Sequence, residues 1–319
     1  MSAIKTVPLA GKNSLPITNF GLGAAPLANA SIVAEEDALA TLRTALDNGI
    51  KLFDTAPLYG MGVSEERIGK ALQGVPRDHF VISTKVGRIL NPDRKGLVYD
   101  YSRAGVLRSI EHSLKRLNMD RIDIVLIHDP DADTVDHEKD ALDVTFPALA
   151  DLRSQGVIKA IGSGMNQWQM LERFVRNADP DVFLLAGRYT LLEQTSLGFL
   201  KLCKERGVGV FLGGVYNSGI LATGPQPGAK YNYREAPEPI MAKARAIQAV
   251  CDKYNVPLNA AALQFALNHP AISALVVGAV KPAEVEANIR SLAVPIPAAL
   301  WQDLREQGLV EVDAPLPTS

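Results

Sequence analysis

The chain has 319 residues, of which 47% are hydrophobic and 21% are charged, a balance typical of globular proteins that excludes wholesale disorder. Its 33 Lys and Arg residues against 35 Asp and Glu residues give a net charge of −2, and no long basic run suggests a nucleic-acid partner. The two cysteines, Cys203 and Cys251, are too few for a structural zinc site or a disulfide scaffold.

Short apolar runs alternate with longer stretches of helical periodicity, so the sequence predicts strands and helices in regular alternation. In chain order, the eight strands are expected at residues 17–23, 51–55, 80–85, 122–128, 157–162, 181–186, 208–213 and 274–278. The helices that follow them are expected at residues 34–48, 64–72, 102–117, 141–154, 167–175, 195–205, 238–254 and 282–291. Ser64 is expected to cap the second helix, because two glutamates follow it in the first turn.

No linker rich in Pro, Gly or Ser separates these eight units. Apolar strands that are each followed by a helix are typical of a parallel sheet covered by helices. Eight such units predict an α/β protein with a single (β/α)8 TIM-barrel domain over residues 1–319. A doubly wound sheet would need a GxGxxG fingerprint, and the segments that begin at Gly21 and Gly162 lack its last glycine.

Three predicted strands end in an ionisable residue, and these residues are Asp54, Lys85 and His128. In a barrel of this type, the carboxyl ends of the strands meet at the mouth that holds the active site. A charged group there is costly unless it is paired, and these three can pair with one another. Each has an ordinary structural explanation when taken singly, but their convergence on one face favours an active site.

Tyr59 follows Asp54 by five residues and completes a set suited to proton transfer between a carbonyl and an alcohol. Free tyrosine has a pKa near 10, and the ammonium of Lys85 is expected to lower it by favouring the phenolate. Asp54 would hold that ammonium in place, and a neutral His128 would orient the substrate oxygen. These side chains supply no hydride, so a redox reaction requires a bound cofactor.

Three further segments leave more than one interpretation open. The segment IHDPDAD, residues 127–133, could hold a metal through its histidine and carboxylates, although the proton-transfer site is favoured. The glycines of GGVYNSG, residues 213–219, could let the backbone approach a phosphate or could simply form turns. The loop 224–239 could be a lid in which Tyr231 and Tyr233 stack on a ring, or a plain surface loop.

The motifs around these residues resemble those of the aldo-keto reductases over nearly the whole chain. The matching segments are FDTAPLYG (53–60), SEERIGKAL (64–72), STK (83–85) and IDIVLIHDPD (122–131). The resemblance implies a (β/α)8 barrel and a nicotinamide dinucleotide bound without a Rossmann motif. It also implies a catalytic tetrad, which here consists of Asp54, Tyr59, Lys85 and His128.

Within the family, three segments resemble the group of aldose 1-dehydrogenases that act on sugars such as L-fucose and D-arabinose, with the pyridoxal 4-dehydrogenases as a sibling group. They are VYNSGILATG (215–224), YNY (231–233) and VPLNAAALQFALNHP (256–270).

The resemblance also implies where the cofactor binds, with departures from the family's pattern. Gly164 and Met165 stand where the family commonly has Ser-Asn, so Asn166 would take over the nicotinamide amide. Ala186 stands at the position of the usual glutamine, and Gly213 at that of the stacking aromatic residue. The candidate cofactor-binding residues are Asn166, Tyr216, Ser218, Gly219, Gly278, Glu284 and Asn288.

The same comparison of positions bears on the choice between NAD and NADP. Counting back from Asn288, Gly278 and Glu284 occupy the positions of the Lys and Arg that grip the 2′-phosphate of NADP in the family. A carboxylate repels a phosphate and can accept hydrogen bonds from ribose hydroxyls, so NAD is expected to be the preferred cofactor. Alternatively, Glu284 only occupies the first turn of a helix, where the macrodipole favours an acid.

These features predict an NAD(P)-dependent oxidoreductase in which Tyr59 takes the C1 hydroxyl proton of an aldose while hydride leaves C1, giving the lactone. Another aldehyde such as pyridoxal is an alternative substrate. A cofactor-binding regulatory subunit that resembles potassium-channel β subunits and a metal-dependent hydrolase barrel are alternatives of other classes. The expected partner is a small sugar or aldehyde, with no nucleic acid, no membrane and no metal, in a monomer or small homo-oligomer.

The amino-terminal residues lack the uninterrupted apolar stretch of a signal peptide, and no apolar run approaches 18 residues. The sequence therefore predicts a cytoplasmic location.

Overall fold

The computed structural model describes residues 4–9, 11, 15–132 and 135–318, which include a closed barrel of eight parallel strands. Each strand pairs with the strands that precede and follow it along the chain. The strands are β1 (Phe20–Gly23), β2 (Leu52–Asp54), β3 (Val81–Val86), β4 (Ile124–His128), β5 (Ala160–Met165), β6 (Val182–Ala186), β7 (Gly209–Gly213) and β8 (Ile272–Gly278). Strand β8 pairs with β1 and closes the barrel. The (β/α)8 fold predicted from the sequence is confirmed.

Helices surround the barrel. Ten helices of nine residues or more lie within the described residues: α1 (Glu35–Asp47), α2 (Val63–Ala71), α3 (Arg103–Leu117), α4 (Phe146–Ser154), α5 (Trp168–Asn177), α6 (Leu197–Arg206), α7 (Glu238–Lys253), α8 (Leu258–Leu267), α9 (Pro282–Leu292) and α10 (Ala298–Glu306). None of the helices in the described part of the chain combines the length and the apolar character needed to cross a bilayer.

The predicted elements omit helices α8 and α10. The sequence of α8, LNAAALQFAL, is apolar on nearly every side of the helix, and seven of its ten residues are buried. Without an amphipathic stripe, the periodicity that marks the other helices is missing.

Alternation of side chains along the strands determines what faces the barrel interior. Leu52, Val81 and Leu126 belong to the inner apolar cluster, whereas Phe53 packs in the outer cluster between strands and helices. Residues an even number of positions further along each strand also point inward. At the carboxyl ends of β2, β3 and β4 these residues are Asp54, Lys85 and His128.

The predicted first strand, 17–23, consists of two separate elements. Pro16–Thr18 pairs antiparallel with Thr6–Pro8 in a hairpin, and β1 begins only at Phe20. Leu9 and Ile17 belong to the inner apolar cluster, so the hairpin covers the amino-terminal end of the barrel.

Strand β5 lies three residues beyond its predicted position of 157–162. Its sequence, AIGSGM, contains two glycines and a serine, which are poor strand formers, so the pattern favoured the preceding VIKAIG. Pairing with β4 and β6 nevertheless continues through Gly164 and Met165. Asn166 is therefore the first residue after the strand.

Ser64 does not cap α2, contrary to the prediction. The helix begins at Val63, after Gly62 with a φ of 95°. The buried Ser64 hydroxyl accepts a hydrogen bond from Thr55 Oγ1 at 2.7 Å and donates to the Ala24 carbonyl at 3.1 Å. It therefore ties α2 to the loops that carry the candidate site.

Candidate active site

A buried ion pair lies where β2 and β3 end. Lys85 Nζ donates to Asp54 Oδ2 and to the Thr55 carbonyl, each at 2.8 Å. The Ser83 hydroxyl donates to the second carboxylate oxygen, Oδ1, at 2.8 Å. Burial alone lowers the pKa of Lys85, but the Asp54 carboxylate and Tyr59 together raise it above its usual value. Lys85 is therefore charged throughout the physiological range.

Tyr59 lies half-buried beside this pair, in a 3-10 turn that begins at Tyr59. The Lys85 ammonium is 4.7 Å from the centre of the tyrosine ring. The turn depends on Gly60, because its φ is 60° and a Cβ there would lie 2.5 Å from the Ala28 carbonyl oxygen.

Burial and the neighbouring charges act on the pKa of the Tyr59 hydroxyl in opposing directions. Burial is the larger and raises its pKa, whereas the Lys85 ammonium lowers it and the Asp54 carboxylate raises it. The predicted effect of Lys85 on Tyr59 is present. The pKa of Tyr59 is nevertheless raised overall, because the effect of burial is larger than that of the ammonium. Tyr59 is thus a phenol at neutral pH, held next to a cation that favours its phenolate.

His128 is buried next to Tyr59, with the two rings in edge-to-face contact at 5.9 Å. Burial lowers the pKa of His128 well below its usual value, and the charges of Lys85 and Arg88 lower it further, so the imidazole is neutral. Nδ1 is buried and has no hydrogen-bond partner among the described residues. A neutral imidazole has one donor and one acceptor nitrogen, so it can donate a hydrogen bond to a substrate oxygen without carrying charge.

Asp129 and Arg88 extend this site, and the sequence analysis did not identify either of them. Asp129 Oδ2 accepts a hydrogen bond from Arg88 Nη1 at 2.9 Å and lies 3.5 Å from His128 Nε2. Burial raises the pKa of Asp129 to about 6, against the opposing effect of Arg88. The available signal is the position of Asp129 directly after His128, in a segment for which the sequence also suggests a metal site.

The described residues of that segment, 127–132, form no metal site. Within the described ranges, no group of three or more His, Cys, Asp or Glu side chains could hold a metal ion. Asp133, the last residue of the segment, lies outside the described residues.

The inward positions at the carboxyl ends of β5, β6 and β7 carry only small residues, Gly164, Ala186 and Gly213. A Cβ at Gly164 would lie 3.3 Å from Lys85 Cε, and one at Gly213 would lie 3.5 Å from Leu184 Cδ2. These three positions form a small-residue floor that carries no side chain larger than a methyl group.

Two of the candidate cofactor residues are joined directly. The Tyr216 hydroxyl donates to Asn288 Oδ1 at 2.7 Å, which links the segment after β7 to α9.

Asn166 directly follows β5, and its Nδ2 donates to the Ala186 carbonyl at 3.4 Å. Asn166 is therefore placed at the edge of the small-residue floor.

Ser218 and Gly219 lie in a turn with positive φ angles of 61° and 104°. The Ser218 hydroxyl accepts a hydrogen bond from the Tyr233 backbone N–H at 2.9 Å. Tyr231 lies in the same loop and donates its hydroxyl to Glu193. The loop 224–239 thus contacts the turn after β7, and Tyr231 is held by a carboxylate.

Gly278 ends β8, and Glu284 is exposed in the first turn of α9. One Glu284 carboxylate oxygen accepts the Val280 backbone N–H at 2.8 Å. This is the contact expected of an acid that stabilises a helix start. It also fixes the carboxylate above the loop that follows β8.

Comparison with known proteins agrees with this geometry. The Aldo/keto reductase family model matches residues 19–307. A D-threo-aldose 1-dehydrogenase from a Pseudomonas species is 40% identical, with 96% of this chain and 98% of that protein aligned. A pyridoxal 4-dehydrogenase from Microbacterium luteolum is 38% identical, with 94% and 96% aligned. An aldo-keto reductase from Bacillus halodurans, solved in its holo form, superposes with a TM-score of 0.81 at 27% identity, with 98% of each chain covered. The chain belongs to the aldo/keto reductase family of oxidoreductases.

Proposed function

We propose that the protein oxidises an aldose at its anomeric carbon, C1, with a nicotinamide dinucleotide as the hydride acceptor, and releases the lactone. The observation that carries this proposal is the buried Lys85–Asp54 pair next to Tyr59, with a neutral His128 across from the phenol. The 40% identity to a D-threo-aldose 1-dehydrogenase over almost the full length of both chains supports the sugar as substrate.

Each side chain has one task in the proposed reaction. The neutral His128 donates a hydrogen bond to the C1 oxygen and so orients the C1 hydroxyl proton toward Tyr59. Tyr59 Oη takes the hydroxyl proton as the C1–O bond gains double-bond character and the C1–H bond breaks. Lys85 stabilises the phenolate form of Tyr59, and Asp54 holds Lys85 in place. In the reverse direction the phenol returns its proton to the carbonyl oxygen.

The cofactor supplies the site to which the C1 hydride is transferred. We propose that its ring lies against the small residues near the ends of β5, β6 and β7 and that Asn166 contacts its amide group, which the position of Asn166 directly after β5 supports. The proposed contacts for the rest of the dinucleotide are Tyr216, Ser218, Gly219, Gly278, Glu284 and Asn288. We propose NAD rather than NADP, because Glu284 stands where a cation would otherwise meet the 2′-phosphate.

A second candidate substrate is a hydroxylated aromatic aldehyde such as pyridoxal. The 38% identity to a pyridoxal 4-dehydrogenase favours it, and a cyclic hemiacetal presents the same hydroxyl to Tyr59 in both cases. A cytoplasmic location and a monomeric or small homo-oligomeric state stay predictions.

The proposal is tested by following the absorbance of reduced cofactor at 340 nm with a panel of aldoses and pyridoxal, and by identifying the product chromatographically. We expect oxidation of at least one aldose to its lactone, with loss of activity in Tyr59→Phe. Oxidation of pyridoxal but of no aldose would assign the second candidate. Turnover of neither would contradict the proposed function.

A further inference from the structure

Asp129 occupies a strained position directly after His128. Its φ is 38°, in the left-handed region that non-glycine residues rarely adopt. Three hydrogen bonds hold the backbone there: the Asp129 N–H donates to the Gly164 carbonyl at 3.1 Å, and the Tyr101 hydroxyl contacts the His128 and Asp129 carbonyls at 2.9 and 3.3 Å. Strain maintained by surrounding contacts is a feature of functional sites.

The strained backbone turns the carboxylate toward the tetrad. Oδ2 lies 3.5 Å from His128 Nε2, on the imidazole that orients the reacting oxygen in the proposed function. The Asp129 charge also influences the pKa of Tyr59. Asp129 is therefore next to the reacting atoms and not merely part of the loop that follows β4.

Arg88 fixes this carboxylate from the other side. Its Nη1 is 2.9 Å from Oδ2, and its guanidinium lies over the Tyr99 ring at 5.5 Å, in the hairpin formed by Arg88–Leu90 and Leu97–Tyr99. The Asp129 side chain is 24% exposed and that of Arg88 is 13% exposed. The Asp129 carboxylate is thus held by Arg88 and still partly exposed.

One oxygen of this carboxylate can take a polar ligand. Within the described residues, the side-chain contacts of Asp129 given above all involve Oδ2, which leaves Oδ1 able to accept a hydrogen bond. Because the side chain is partly exposed, a hydroxyl of a bound ligand could donate to it.

We propose that Asp129, positioned by Arg88, binds a second hydroxyl of the substrate on the carbon next to the reacting one, and so selects substrates that carry adjacent oxygens. This inference rests on the proposed function, since it places the sugar's C2 hydroxyl beside Asp129 while the C1 oxygen contacts His128. A carboxylate accepts such a hydroxyl in a charge-assisted hydrogen bond, which is stronger than a neutral one. The negative charge also disfavours anionic substrates.

The test compares two sugars that differ only at C2, D-arabinose and 2-deoxy-D-ribose, in the wild type and in Asp129→Asn. Asparagine tolerates the left-handed backbone, so this variant preserves the fold while it removes the charge. We expect wild-type kcat/KM to favour D-arabinose, and the ratio of the two kcat/KM values to fall by about 10- to 100-fold in Asp129→Asn. Arg88→Gln should lower the ratio in the same direction, because the carboxylate loses its support.

Asp131→Asn is the matched control, since it removes one negative charge from an exposed position in the same loop. It should leave the ratio unchanged, and all variants should keep the wild-type cofactor affinity, measured by fluorescence titration. An equal preference for the two sugars in the wild type, or a ratio that Asp129→Asn does not alter, would overturn the inference while the proposed function stands.

A different pair of substrates separates the two hypotheses if neither sugar is oxidised. D-Glyceraldehyde and propanal are three-carbon aldehydes with and without hydroxyls, and they are assayed in the reducing direction. A preference for glyceraldehyde that Asp129→Asn removes would support the inference although the aldose proposal fails. Equal turnover of the two aldehydes would overturn the inference alone, and no turnover of either aldehyde would count against both.

Discussion

At the scale of single residues, Tyr59 is the side chain whose proton state decides the reaction. Burial and the Lys85 ammonium act on its pKa in opposite directions, and burial dominates in the cofactor-free protein. The phenol is thus suited to protonate a carbonyl oxygen, whereas the phenolate is required to take a proton from an alcohol. Two predictions follow from this division.

Tyr59→Phe should reduce kcat by about 10²- to 10⁴-fold, the usual contribution of a general acid or base. The phenyl ring still packs against His128, so the cofactor affinity should stay close to that of the wild type. Steady-state kinetics and fluorescence titration of the cofactor measure the two effects separately. A variant that keeps more than about a tenth of the wild-type kcat would show that Tyr59 is not the proton-transfer group.

The pH dependence should differ between the two directions. Because the pKa of Tyr59 lies above its usual 10, the fraction of phenolate, and with it kcat/KM for oxidation, should rise about tenfold per pH unit through the neutral range. Reduction uses the phenol and should stay nearly constant there. Lys85→Met removes the cation that lowers the pKa, so its oxidation limb should move to higher pH.

Lys85→Met leaves the Asp54 carboxylate buried without its partner, which costs about 3–5 kcal/mol of stability. The double variant Asp54→Asn with Lys85→Met removes both charges, and the loss of the Asp54 charge, which raises the pKa of Tyr59, offsets part of the loss of the Lys85 charge, which lowers it. Its oxidation limb should therefore return toward that of the wild type. A limb that moves to lower pH in Lys85→Met would contradict the assigned role of the ammonium.

At the scale of elements, the strand ends were the most predictable feature and the loops the least. Asp54, Lys85 and His128 could be found from the sequence because each ends a continuous apolar run, and inward orientation follows from strand alternation. The true bounds of β5 could not be predicted, because Gly162 and Gly164 belong to the strand only through their pairing with β4 and β6. The role of Asp129 could not be predicted either. Its side-chain position depends on a left-handed backbone that the distant Tyr101 holds, and no local sequence pattern predicts that contact.

The loop between β8 and α9 provides the prediction for cofactor choice. If Glu284 faces the adenosine ribose, charge repulsion should favour NAD over NADP by roughly 5- to 150-fold in kcat/KM, about 1–3 kcal/mol. Glu284→Arg should narrow or reverse that ratio, because the cation attracts the 2′-phosphate. The kcat/KM values for both cofactors measure this with one saturating sugar.

Glu286→Arg is the matched control, because it makes the same charge change at an exposed site on α9 where Glu286 pairs with Arg290. It should leave the cofactor ratio close to that of the wild type. A ratio near one in the wild type, or equal effects of the two substitutions, would show that Glu284 only stabilises the helix start through the Val280 N–H.

At the scale of the whole molecule, the barrel mouth is divided into two halves. The last inward-facing residues of β2, β3 and β4 are the charged and polar members of the tetrad, whereas those of β5, β6 and β7 are glycine or alanine. The closed pairing order places the two halves face to face. In the proposed function, the nicotinamide ring lies against the small-residue half, opposite the tetrad.

The buried histidines make the stability of this barrel depend on pH. Burial lowers the pKa of His269 from its usual 6.5 to about 4, so the unfolded chain binds a proton that the folded chain does not across this range. The contribution of His269 to stability is therefore complete above pH 6.5 and is lost as the pH falls toward 4. Asp129 acts in the opposite sense between pH 6 and 3.8, because its folded-state pKa is raised to about 6.

His269→Asn isolates the histidine contribution. Asparagine Oδ1 can replace Nδ1 as the acceptor of the Ala271 N–H, which donates at 3.2 Å, but it cannot be protonated. The loss of unfolding free energy between pH 7 and pH 5, measured by urea denaturation, should be smaller than in the wild type by about 2 kcal/mol. His79→Asn, at an exposed position, should lose as much as the wild type does. An equal loss in His269→Asn and the wild type would show that His269 already carries a proton in the folded barrel at pH 5, or none in the unfolded chain.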